Sequence, residues 1–266
     1  MKMIDPHIHM DSVNRAHLKS MALAGIVAVI ADAGPLPAPS AQWVLEFYDR
    51  TFSWDVPRGS EFLIDAFVTI GINMLCIPPD WEKVVAALPR YLEKNGVVGI
   101  GEIGVDPRSF TYPDINKQEE VLRAQLKVVS EHNVPVRLHT PPMDKKSWLD
   151  KHFKRIKEFG LDKEKVIISH ADGEILRDII DFGCIAEITV QPWRKLDPED
   201  AARILKEAPL DRVMVDSDTA LRVSADVLTV PKVALEMRKL GFSDTEVSKV
   251  VYENPVRVFN LPIAQS

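Results

Sequence analysis

The chain has 266 residues, 46% of them hydrophobic and 27% charged, with a formal net charge of −6. The apolar fraction is enough for a packed core, while the acidic balance argues against a protein that holds nucleic acid or a membrane by bulk electrostatics. Two cysteines, Cys76 and Cys184, lie beside apolar residues and read as buried reduced thiols rather than a disulfide framework.

Short apolar runs alternate with helical patterns from end to end. The first run, residues 3–9, reads Met-Ile-Asp-Pro-His-Ile-His. A helix over 14–24, a strand over 26–30, a proline-rich loop over 34–39 and a helix over 40–51 follow. Residues 62–72 form the third predicted strand, and residues 81–92 carry an apolar helical stripe in which Pro89 should kink or divide the helix. The fourth strand, 97–103, is threaded with Gly99 and Gly101 and followed by Gly104. Then come a helix over 118–132, a strand over 134–139, a helix over 147–159 stopped by Gly160, a strand over 166–170 and a helix over 174–182. The last units are a strand over 184–190, a helix over 198–207, a strand over 212–216 and helices near 227–240, 243–251 and 255–259.

Eight strand–helix units without strict alternation inside the strands imply a parallel sheet buried on both faces. In this length they predict a (β/α)8 TIM barrel. A doubly wound open sheet is the alternative, weakened because no Gly-x-Gly-x-x-Gly follows the first strand. No composition shift marks a linker, so a single domain over residues 1–266 is expected. The start is too polar for a signal peptide, and no run approaches the ~18–20 apolar residues of a membrane span. The expected setting is cytoplasmic, with no membrane partner.

In a barrel the C-terminal strand ends form the active face. Residues i and i+2 of a strand share a face, so His7 and His9 aim two imidazoles at one point. Glu102 closes strand four, His139 strand five, His170 strand six, and Asp216 and Asp218 strand eight. A strand-end histidine alone is more often a hydrogen-bonded structural residue, and an aspartate there often caps a turn. Imidazoles and carboxylates from five separate strands converge on one point only at a barrel mouth, where they suit Zn²⁺, with Mn²⁺ or Mg²⁺ as alternatives. His17, His132 and His152 fall in helices or at a helix end and read as surface residues.

The pieces Asp5-Pro-His-Ile-His-Met-Asp11, Gly101-Glu-Ile-Gly-Val-Asp106, Pro135-Val-Arg-Leu-His139, Ser169-His170, 209–218 and 253–261 occur in one order along nearly the whole chain. In that order the sequence resembles the TatD-type metal-dependent hydrolases of the amidohydrolase superfamily. The resemblance implies two divalent ions. His7 and His9 would hold the first, with the strand-eight aspartate; Glu102 would bridge the ions, and His139 and His170 would hold the second. It aligns Asp218 as ligand and proton shuttle and Asp216 as its structural neighbour, a choice that spacing alone leaves open. Asp5 and Asp106 are expected to orient the ligand imidazoles, with Asp11 as a further support. The segments after strands six, seven and eight, including Thr189-Val-Gln-Pro-Trp-Arg-Lys195, depart from the family pattern.

The expected activity is metal-assisted hydrolysis of a phosphoester, with Asp218 and Glu102 in catalytic positions and deoxyribonuclease activity as one form of it. Arg108, Arg194, Lys195 and Arg222 are candidates to hold phosphate, and Trp193 to stack on a base. Nucleic acid enters only as a substrate, and a small molecule or strand end suits the acidic chain better than a long polyanion. Hydrolysis of an amide, lactone or ester, or a non-catalytic metal-binding barrel, are the competing readings.

Overall fold

Apolar runs too short for helices and rich in β-branched residues become eight parallel strands in the computed structural model, which describes residues 1–34, 37–108, 114–220 and 226–263. The strands are β1 Met3–Ile8, β2 Ile26–Ala33, β3 Asp65–Ile70, β4 Val97–Gly104, β5 Val136–His139, β6 Val166–Ile168, β7 Ile185–Thr189 and β8 Val213–Asp216. Between and after them run α1 Arg15–Leu23, α2 Ala41–Arg50, α3 Val56–Ser60, α4 Trp81–Leu92, α5 Ile115–His132, α6 Lys145–Glu158, α7 Leu176–Phe182, α8 Pro198–Lys206, α9 Thr229–Lys239, α10 Asp244–Ser248 and α11 Asn254–Phe259. Strands pair in sequence order from β1 to β8. The chain leaving β8 closes the ring on β1, with Asp218 N–H donating to His7 O and His9 N–H to Thr219 O, both at 2.9 Å. The expected (β/α)8 barrel is therefore present.

One large apolar cluster fills the space between the outward strand faces and the helices. A smaller one, with Ile4, Ile30, Phe67, Ile167, Ile185 and Met214, plugs the lower barrel, and Val258, Phe259 and Leu261 of the last helix and its exit cover it. Above that plug lies a polar layer drawn from the odd-numbered strands, as barrel layers are. Arg137 of β5 makes a two-pronged ion pair with Glu187 of β7 at 2.7 and 3.0 Å, reaches Thr69 of β3, and donates to Pro6 O of β1. Arg137 and Glu187 are both fully buried. Neither would be tolerated there without the other.

The structure departs from the sequence reading in several places. β2 continues past Ile30 and carries Asp32 into the barrel. β3 starts later than expected because residues 61–63 form a turn, with Leu63 left-handed at φ 59°. The helix over 40–51 does not stop: a π-type turn over Thr51–Asp55 carries it into α3. Pro89 does not divide α4. Burial of Leu88 and Tyr91 on either side holds the helix together against a proline cost of ~3 kcal/mol. The two cysteines are free and buried as expected. No helix among the described residues is long and apolar enough to cross a membrane.

Candidate metal centre

His7 near the end of β1 and His9 just past it bring their rings together, with centroids 5.8 Å apart. The strand-eight carboxylates do not share a face as simple alternation would have it. β8 ends at Asp216, and Asp218 turns into the left-handed region at φ 41°, a conformation aspartate tolerates. Asp218 Oδ1 thus lies 3.7 Å from His7 Nε2 and 3.6 Å from His9 Nε2. Asp216 stays behind His7, with Oδ1 3.8 Å from Nδ1 and Oδ2 accepting a hydrogen bond from Thr189 Oγ1 at 3.0 Å.

A second triad stands beside the first. Glu102 Oε1 is 3.0 Å from His139 Nδ1 and 2.9 Å from His170 Nε2. The glycines around Glu102 have a steric cause. A Cβ on Gly101 would meet Arg137 Cβ at 2.6 Å, and one on Gly104 would meet His139 Cβ at 2.7 Å, so β5 lies too close for any side chain. His139 Nε2 faces Asp106 Oδ2 at 3.1 Å, which leaves Nδ1 to point at the centre. His170, itself left-handed at φ 60°, places Nδ1 2.8 Å from Thr189 Oγ1. The rings of His7 and His170 stack at 6.2 Å, so the two triads are neighbours.

The charge balance asks for cations. Burial and the Arg137 guanidinium pull the His7 pKa down, but Asp218, Glu187 and Glu102 together raise it to about 10. Burial likewise opposes the charge on His139, yet Glu102 and Asp106 raise it to about 9. Burial pushes Glu102 up, and His139 and His170 outweigh it, holding the carboxyl well below its usual range. His7 is fully buried, and neither ring nitrogen has a hydrogen-bond partner, a deficit of ~1–3 kcal/mol per group. An ion on the Nε2 side relieves it. Imidazole and carboxylate donors within 4.8 Å of one another form the sets His7/His9/Asp218 and Glu102/His139/His170, the chemistry that divalent metals take. A third set, His7/Glu187/Asp216, fits less well because Arg137 already neutralises Glu187.

Asp106 holds His139 and also pairs with Arg108. Asp5 does not orient an imidazole: its Oδ1 accepts from the backbone N–H of His7 and Ser217, stitching β1 to the exit of β8. Asp11 Oδ1 accepts from Ser12 Oγ within its own turn. Asp32, missed in the sequence, lies 3.6 Å from His7 Nε2 and accepts from Glu102 N–H. Arg137, Glu187 and Thr189 were also missed, although a charge inside an apolar strand run is itself a signal of buried pairing. His152 is no surface residue. It is buried in α6, with Nε2 2.9 Å from His139 O, and burial beside Arg155 pushes its pKa down to about 3.

The predicted substrate residues separate. Lys195 Nζ reaches Asp218 Oδ2 at 2.9 Å and His170 Nδ1 at 3.0 Å, and Arg108 and Arg194 line a cavity on the His170 side. Trp193 sits on a left-handed turn with 91% of its surface exposed, away from that lining. Arg222 lies outside the described residues.

Comparison with known proteins shows the family and the fold. The family described as TatD related DNase matches residues 4–260. An uncharacterized metal-dependent hydrolase of Methanocaldococcus jannaschii is 30% identical over 260 residues, covering 97% of this chain and all of the relative. Among solved structures, a TatD-like protein of Archaeoglobus fulgidus superposes with a TM-score of 0.79 at 24% identity, covering 97% of this chain and 100% of the other. The TatD homolog YjjV of Escherichia coli superposes at 0.73 and 18% identity, covering 98% of each chain. The chain belongs to the TatD-related DNase family of metal-dependent hydrolases.

Proposed function

We propose that the protein hydrolyses a phosphoester with two divalent ions, preferentially zinc. His7, His9 and Asp218 would hold one, and Glu102, His139 and His170 the other. The observation that carries this reading is the side-by-side pair of donor triads at one barrel mouth. When bound, the ions supply positive charge and the Lewis acidity that makes a water acidic near neutral pH.

The chain's own residues do the rest. Asp218 turns Oδ1 toward the imidazoles and Oδ2 toward Lys195 and Gln191 Nε2, the latter at 3.1 Å. Lys195 and His7 outweigh the effect of burial and keep Asp218 ionised. It can therefore accept the proton of the attacking water and return it to the leaving oxygen. Thr189 links His170 Nδ1 to Asp216 and so fixes the ring that faces Glu102. The basic side chains beside His170 favour a substrate that is already an anion, which is why a phosphoester is preferred over an amide or lactone.

The test is a hydrolysis panel on zinc-loaded protein: a chromogenic phosphodiester, single-stranded DNA, a lactone and an amide. Turnover of the phosphodiester or DNA above the two carbon-centred substrates is expected. The opposite ranking would move the reading to amidohydrolase or lactonase chemistry.

A further inference from the structure

The imidazoles of the two triads are aimed in different ways. His139 Nε2 faces Asp106 and His170 Nδ1 faces Thr189, so a bond on the far nitrogen sets each ring. His9 has no such support. Among the described residues its Nδ1 has no hydrogen-bond partner, and Nε2 faces Asp218 at 3.6 Å. The direction of that ring therefore depends on the backbone that carries it.

His9 opens a single 3-10 turn, Met10–Ser12. Ser12 N–H donates to His9 O at 2.9 Å and Val13 N–H to Met10 O at 3.2 Å. The buried side chains of Met10 and Val13 set how deep the turn sits, but apolar burial has no direction and leaves the peptide planes unoriented. Arg58 of α3 supplies the direction. It donates through Nη1 to Val13 O at 2.7 Å and through Nη2 to Met10 O. Among the described residues these are the only hydrogen bonds that tie residues 10–13 to a distant part of the chain. Nη2 also pairs with Asp55 Oδ1 at 2.9 Å.

Asp55 is 1% exposed, and a carboxylate so placed is costly without its cation. The π-type turn over Thr51–Asp55 delivers it. There Val56 N–H donates to Thr51 O, five residues back, and the turn packs against Met10–Ser12. Such turns are rare and are frequent at functional sites.

We infer that Arg58, braced by Asp55, is a positioning residue for His9: it fixes the peptide planes of the 10–13 turn and, through them, the aim of the imidazole at the ion. The inference rests on the metal reading above for its zinc arm only.

A double-mutant cycle with His9→Ala tests it, read as zinc affinity of the full-length protein by chelator competition. Arg58→Met should weaken zinc binding at least tenfold in the wild-type background and less than twofold in His9→Ala. Arg58→Lys, which keeps a charge and can reach one carbonyl, should restore part of the loss. Equal weakening in both backgrounds, or none in either, overturns the positioning role. Should Arg58→Met fail to fold, judged by circular dichroism of the metal-free chain, Asp55→Asn runs the same cycle with the same two outcomes. A wild-type protein that takes no zinc fails the metal reading instead, and amide hydrogen exchange on the metal-free chain then decides. Exchange at Ser12 and Val13 at least tenfold faster in Arg58→Met, with α1 unchanged, supports the clamp; unchanged exchange overturns it.

Discussion

Two polar layers lie one above the other inside this barrel, and they follow opposite rules. In the lower layer every charge is answered within the protein: Arg137 grips Glu187 with two bonds and spends its remaining donors on Thr69 and Pro6. In the upper layer the pairing is incomplete: both His7 nitrogens lack a hydrogen-bond partner, and two triads of imidazole and carboxylate donors stand side by side. The lower layer is a floor that fixes the backbone of β1, β5 and β7. The upper layer is a set of donors of the kind divalent metals take. A buried polar cluster is therefore diagnostic only after its bonds have been accounted for.

The sharpest way to break the comparison is in the upper layer. Asp218→Asn should lower kcat by ~10²–10⁴-fold, the usual share of a general acid–base group, with circular dichroism unchanged. Full activity in Asp218→Asn alongside loss in Asp216→Asn would reverse their roles. In the floor the effect should be on stability instead. Arg137→Met leaves Glu187 buried and unpaired, and breaking such a pair costs ~3–5 kcal/mol. Denaturant unfolding should register that loss, and Arg137→Met with Glu187→Leu should recover most of it. Between the layers, Thr189→Val removes the link from His170 to Asp216 and should weaken zinc binding by ~10–100-fold in competition with a chelator.

A smaller, pH-dependent difference should separate the metal-free from the loaded protein. In the absence of metal, the His7 and His139 pKa values are raised to about 10 and about 9. Each is above the unfolded value of ~6.5. Their contribution is therefore full below ~6.5 and lost as the pH climbs through 9 to 10. Metal must displace those protons, so its own contribution grows over the same range. The gap in Tm between zinc-loaded and chelated protein should widen from pH 7 to pH 10.

Much of this was legible in the sequence because strand ends are where a parallel barrel does its chemistry, and four of the seven histidines stand there. The strands themselves were readable as apolar runs bounded by glycine and proline. Asp32 was not, because aspartate after an apolar run reads as a turn, whereas β2 extends over it and hydrogen-bonds it to Glu102. His152 was missed although it continues the buried stripe of Trp148, Leu149 and Ile156 at helical spacing. The choice between Asp216 and Asp218 turns on one left-handed residue, which strand periodicity does not encode. Lys195 could be named as a cation near strand seven, but its reach to Asp218 depends on how the 191–195 turn folds back.

Anomalous diffraction from zinc-loaded crystals tests the central claim most directly. Two peaks are predicted, one among His7, His9 and Asp218 and one among Glu102, His139 and His170. A lone peak between His7, Glu187 and Asp216, or no peak at the barrel mouth under saturating zinc, would contradict it.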